Sequence, residues 1–161
     1  MNHYKLYIFD WDGTLMDSVA RIVSSLQQAA ISVGLPRPTE HSVKGIIGLS
    51  LPKAIDILFE QVSAPQEQEL ISQYKLQFRE QNKTPSPMFD FAHQLLTLLT
   101  AMNKRLAVAT GKGRAGLDSV LSISETGHYF HSSICADESV SNPAPDMLFH
   151  LLQHFGVQAH E

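Results

Sequence analysis

The sequence predicts an α/β fold, a parallel sheet whose first strand is separated from the second by a long helical insert. Three observations carry that prediction. Residues 4–9 (Tyr-Lys-Leu-Tyr-Ile-Phe) form a short apolar run that stops at Asp10, the pattern of a strand buried on both faces. Residues 17–85 then read as helical throughout. From Asp90 onward helical and strand-like segments alternate, the order that builds a parallel sheet.

Each element has a local reason. A first helix over 18–33 places Val19, Ile22, Val23, Leu26, Ala29 and Ala30 on one face, and Gly34 and Pro36 end it. Thr39 stands where a short helix would be capped, ahead of Gly45 and Gly48. Amphipathic helices follow over 51–62 and 65–81, and the Asn-Lys-Thr-Pro-Ser-Pro run at 82–87 reads as a linker. A helix over 90–102 leads to a strand over 105–110, a Gly-Lys-Gly turn at 111–113 and a helix over 115–124. A third strand is expected over 132–136. Pro143 opens a last helix that runs to Phe155 and stops at Gly156.

Composition narrows the function. The 161 residues are 43% hydrophobic and 17% charged, enough to bury a core of about one domain. A net charge of −4 leaves no basic footprint for nucleic acid or an anionic membrane. The lone Cys135 excludes an internal disulfide and a thiolate zinc pair. No apolar run approaches the ~20 residues of a membrane span, and Lys5 and Asp10 interrupt the only stretch that could begin a signal peptide. A soluble, cytoplasmic protein is expected, with no nucleic-acid or membrane partner.

In a parallel sheet ligands bind beyond the carboxyl ends of the strands, and three polar clusters fall there. In Asp10-Trp11-Asp12-Gly13-Thr14, two carboxylates flank one residue as the chain leaves a strand, and Gly13 permits a sharp turn. That arrangement suits a carboxylate nucleophile with an acid/base partner and a hard cation between them. A calcium loop fails, because Ile8 and Val19 would occupy ligand positions. Thr110-Gly111-Lys112-Gly113 offers a hydroxyl and free N–H groups to a phosphate, but Leu106 and Gly113 exclude a P-loop. The third cluster, at 141–146, precedes the last helix. His150 and His154 have zincin spacing, yet Leu151 occupies the catalytic Glu position, and a surface pair is the simpler reading. Cys135 is expected in the core, with Met88 and Met102 as gap fillers.

Taken in order, the three clusters resemble the motifs of the haloacid dehalogenase superfamily, in its phosphoglycolate phosphatase-like branch. The stretch Asp10 to Ser18 looks like the first motif, Val108 to Lys112 like the second, and Asn142 to Leu148 like the third. The resemblance implies a Rossmann-like core at 1–16 and 86–161, with a helical cap at 17–85 inserted after the first strand. It implies a magnesium-dependent phosphatase acting on a small phosphorylated metabolite such as phosphoglycolate. Asp10 would be the nucleophile and Asp12 the acid/base; both would hold Mg2+, Asp12 through its carbonyl. Gly13, Thr110, Gly111 and Asn142 would bind phosphate.

Two departures qualify that expectation. The family's third motif carries a Lys before Pro, where this chain has Asn142, which supplies no charge. Lys112 and Arg114 are the nearby cations that could stand in. The chain also ends at Glu161, before the strand that brings the family's fourth, acidic motif. Asp137 and Glu138, two strands from Asp10, are poor substitutes. An incomplete core of this kind leaves residues 6–9 as an apolar edge, from which a homodimer, an aggregation-prone product or a truncated form of a longer ancestor is expected. The alternative to an enzyme is a catalytically impaired relative: a binding or regulatory protein, or a truncated remnant.

Overall fold

The computed structural model describes residues 4–140 and 142–160. Leu6–Phe9 form β1, Arg105–Thr110 β2 and Ser132–Cys135 β3, in a parallel sheet of order β1-β2-β3. Phe9 stands opposite Val108, and Thr110 opposite Cys135, so the three carboxyl ends fall together. β2 is central and its residues from Leu106 to Thr110 are buried. Alternation sends Leu106 and Val108 to one face, against α5 (Ala92–Ala101) and α6 (Arg114–Ile123). Ala107 and Ala109 face the other way, onto Met147 and Leu151 of α7 (Asp146–Phe155). Each such buried aliphatic side chain contributes about 1.5–3 kcal/mol.

The insert builds its own core. Its helices are α1 (Val19–Ser32), α2 (Glu40–Lys44), α3 (Leu51–Leu58) and α4 (Ala64–Leu76), and a π-helical turn at Gln77–Gln81 prolongs α4. One cluster joins Ile22, Val23, Leu26, Val43, Ile46 and Ala54; another joins Ala29, Ala30, Ile55, Phe59 and Leu70. No strand residue belongs to either. The two connections to the sheet run side by side: Asp17 N–H donates to the Pro87 carbonyl at 2.8 Å, and Phe89 N–H to that of Leu15 at 2.9 Å. No described helix is long and apolar enough to cross a membrane.

Several expectations need correction. The last helix starts at Asp146, because residues 143–145 form a turn in front of it. The helix expected from Asp90 begins at Ala92, since Phe91 adopts a left-handed backbone at φ 66. A short 3-10 turn at Gly127–Tyr129 has no counterpart in the sequence reading. Met102 is half exposed rather than filling a gap, whereas Met88 packs against the core. β1 is the edge strand, but its side chains are half-buried beneath both helical layers; among the described residues no strand pairs with its outer side. Cys135 is buried, and His150 and His154 lie exposed on α7.

Candidate active site

Beyond β1 the chain bends at Trp11, and the side chains of residues 10–12 part to two sides. Trp11 is fully buried, its indole N–H donating to Met16 Sδ at 3.4 Å. The Trp11 carbonyl accepts the N–H groups of Thr14, Leu15 and Met16, which folds the chain back into a tight turn. Gly13, at φ 75, makes that turn and donates its N–H to the Met16 carbonyl. Asp10 and Asp12, thrown to the opposite side from Trp11, line a cleft of about 470 Å³ between sheet and insert.

Thr110, Gly111 and Lys112 line the same cleft from the end of β2. The buried Thr110 hydroxyl bonds the Asp10 carboxylate and accepts Lys112 N–H at 3.2 Å. Asp10 also accepts Trp11 N–H at 2.7 Å. Even so, burial, reinforced by the Asp12 charge, holds its carboxyl above the usual aspartate range. Asp12 is doubly held: Ser18 Oγ donates to Oδ1 at 2.6 Å, and Lys112 Nζ lies 2.9 Å from Oδ2. Both members of that ion pair keep only about a tenth of their side-chain surface exposed, 10% and 12%.

The insert completes the cleft. The Phe78 ring lies 4.5 Å beneath Lys112 Nζ, a cation–π contact from the π-helical turn. The loop at 48–49 presses on Gly111 so closely that a Cβ there would meet the Gly48 and Leu49 carbonyl oxygens at 2.5 and 2.6 Å. Gly111→Ala should therefore push this loop away and cost about 1–3 kcal/mol, read as a lower urea midpoint with m unchanged. Asn142 Nδ2 donates to the Gly48 carbonyl at 3.1 Å.

Asp10, Asp12, Thr110 and Gly111 line the cleft together, while Gly13 and Asn142 stand outside that lining. Gly13 is committed to its turn and Asn142 to the insert loop. Of the two candidate cations, Lys112 reaches Asp12; Arg114 is drawn away to Glu138 at 2.7 Å and Ser133 Oγ at 2.8 Å. Gly48 also lines the site, from the loop that follows α2. Ser18 and Phe78 were not foreseen. Ser18 lies in the quoted first motif, and its spacing from Asp12 is the only signal that could have found it.

Cys135, Asp137 and Glu138 approach one another within 4.8 Å, yet their groups are already engaged. Asp137 accepts Arg114 N–H at 3.0 and 3.1 Å, and Glu138 takes the Arg114 guanidinium and Cys135 N–H. Burial pushes the Cys135 thiol up to about 12, so it stays protonated and neutral. This corner closes the junction of β3 and α6.

Carboxylates thus stand in a cleft at the carboxyl ends of a parallel sheet, beneath a helical insert that follows its first strand. The haloacid dehalogenase-like hydrolase family profile matches residues 7–161, and the chain belongs to that family. It is 35% identical over 147 residues to a probable phosphatase, IndB, of Dickeya dadantii, covering 87% of this chain but 62% of that protein. A phosphoglycolate phosphatase of Mannheimia succiniciproducens is 25% identical over 169 residues, covering 99% of this chain and 75% of the relative. The crystal structure of a hydrolase from Pseudomonas syringae superposes with a TM-score of 0.85 at 22% identity, covering 96% of this chain and 72% of that one.

Proposed function

We propose that this chain is a magnesium-dependent phosphomonoesterase that acts on a small phosphorylated metabolite through an aspartyl-phosphate. The observation that carries the reading is the Asp10, Thr110, Asp12 and Lys112 constellation at the open strand ends. An Asp10 carboxylate oxygen attacks phosphorus as the phosphorus–oxygen bond to the alcohol breaks, and Asp12 delivers the proton that the alkoxide needs. Water then attacks the acyl phosphate, Asp12 takes its proton, and inorganic phosphate leaves with Asp10 restored. Thr110 and the Gly111 N–H hold phosphoryl oxygens. Gly13 shapes the turn, and Asn142 anchors the loop over the site.

The donors suit a hard cation: they are oxygens, and the partly buried Asp10 carboxylate stands beside the charge of Asp12. The Asp10 carboxylate and the Asp12 carbonyl would hold Mg2+, which when bound neutralises charge on nucleophile and phosphate. Lys112 favours the enzyme over the binding-protein alternative, because it brings to the site the positive charge that Asn142 lacks.

The reading is tested with p-nitrophenyl phosphate: hydrolysis that starts with Mg2+ and stops with a chelator is expected, and silence of the folded chain would overturn it. The open β1 edge, beside the exposed Phe91, Leu95 and Leu98 of the adjoining segment, further supports self-association. Size-exclusion elution as a dimer is expected; a stable monomer would remove that part of the proposal.

A further inference from the structure

Lys112 apart, the charges that line the cleft are sorted by side. The acids Asp10, Asp12 and Asp137 all follow strands of the sheet. The insert turns three cations toward the same space, Arg21, Lys75 and Arg79, and no acid. In a chain of net charge −4 such a surplus is local. Lys75 and Arg79 are exposed, and among the described residues neither has a carboxylate partner. The cleft is also roomy: at about 470 Å³ it holds roughly 15 water molecules at about 30 Å³ each, more than a two-carbon acid phosphate fills.

Of the three, Arg21 has a fixed geometry. It is half-buried, its Nε donates to the Phe78 carbonyl at 2.9 Å, and its guanidinium carbon lies 5.2 Å from the Phe78 ring centroid. Those contacts orient the guanidinium plane and occupy Nε alone; the terminal nitrogens bond no described residue. A fork held in this way is pre-organised for a two-point grip on a carboxylate or phosphate. Lys112 Nζ, seated at Asp12, touches the same ring at 4.5 Å, so the two cations serve neighbouring parts of one cleft. Arg79 adds to them, because a Cβ on Gly116 would stand 4.0 Å from both Arg79 Nη2 and Lys112 Cδ. Tyr74 lines the cleft as well; burial, reinforced by the Asp12 charge, keeps its hydroxyl protonated and able to donate.

Resting on the phosphatase reading above, we propose that Arg21, supported by Lys75 and Arg79, forms a subsite for a second anion, and that the substrate is a phosphomonoester with a further carboxylate or phosphate at the far end of its body. The reacting phosphoryl group lies against Asp10, Thr110 and Lys112 at the strand ends. The second oxyanion takes the free fork of Arg21, and the body of the ester runs past the Phe78 ring between them. A body longer than the two carbons of phosphoglycolate, the substrate in the names of several relatives, suits the volume of the cleft. Arg21 is the specificity residue; Lys75 and Arg79 raise the local potential and stay in contact with water.

Binding tests this independently of turnover. The full Asp10→Asn chain, with Mg2+ present, is titrated by calorimetry with three esters of one four-carbon body: n-butyl phosphate, 4-(phosphonooxy)butanoate and butane-1,4-diol bisphosphate. The two esters with a second anion should bind about tenfold or more tightly than butyl phosphate, and the tighter of them identifies the oxyanion that the fork prefers. Arg21→Met in the same background should remove that advantage. Lys75→Gln combined with Arg79→Gln, both at exposed positions, should lower it severalfold, which keeps the test open if the Arg21 variant folds poorly. Equal affinities for the three esters in the Asp10→Asn chain, no binding of any of them, or an advantage that survives both sets of substitutions overturns the subsite. Failure of the phosphatase reading shows elsewhere, as absence of Asp10-dependent hydrolysis of p-nitrophenyl phosphate by the unsubstituted chain.

Discussion

Asp10→Asn should abolish turnover of p-nitrophenyl phosphate and at the same time raise the melting temperature at pH 7. The loss of activity follows from removing the attacking oxygen. The gain in stability follows from the carboxyl's surroundings: burial first, then the charge of Asp12, outweigh the bonds from Trp11 and Thr110 and raise its folded pKa. An acid whose folded pKa is raised binds its proton more tightly when folded. Its contribution to stability is therefore unfavourable above that pKa, and fades as pH falls through the unfolded value of about 3.9. The Asn variant should melt higher at neutral pH, with the difference closing below about pH 4. A variant that melts no higher than the original at pH 7 would contradict the electrostatic picture of the site.

Lys112→Met should lower kcat by about 10²-fold or more, on the order of 3 kcal/mol of transition-state stabilisation. Phosphoryl transfer brings an anionic substrate to an anionic nucleophile, and catalysis there is mostly positioning and charge neutralisation. In this chain Lys112 is the cation seated at Asp12, and its field also lowers the Asp10 pKa. Its removal should thus move the acidic limb of kcat/KM to higher pH. A purely structural role for Lys112 would leave that limb in place. Lys112→Arg keeps the charge but not the compact ammonium, and should recover part of the rate. The Met variant leaves the Asp12 carboxylate largely buried with only Ser18 as partner, so its fold is checked by near-UV circular dichroism.

The parts of this molecule legible in its sequence are those that local chemistry decides. β1 and β2 announce themselves as apolar runs, and Asp10 and Thr110 mark where each strand opens onto a ligand face. The choice between Lys112 and Arg114 was not legible. Both sit in one short turn, and partners from distant segments, Asp12 for one and Glu138 for the other, decide which swings inward. Asn142 shows the same limit: its place in the third motif suggested a phosphate contact, but a carbonyl 94 residues away in sequence takes its amide. The π-helical turn at Gln77–Gln81 continues the periodicity of α4, so no pattern distinguishes it; Arg21, bonded to the Phe78 carbonyl, ties it to α1. Phe78 reaches Lys112 from within that turn.

The central claim is a covalent phosphoryl group on Asp10, and acid quenching during turnover reads it directly. The full chain is mixed with Mg2+ and p-nitrophenyl phosphate, quenched at millisecond intervals, digested with trypsin and examined by mass spectrometry. One phosphoryl group on the peptide spanning 6–21, localised to Asp10 and absent from the Asp10→Asn chain, is the predicted result. Product release with that peptide unmodified at every interval, or with the label on another residue, would contradict it.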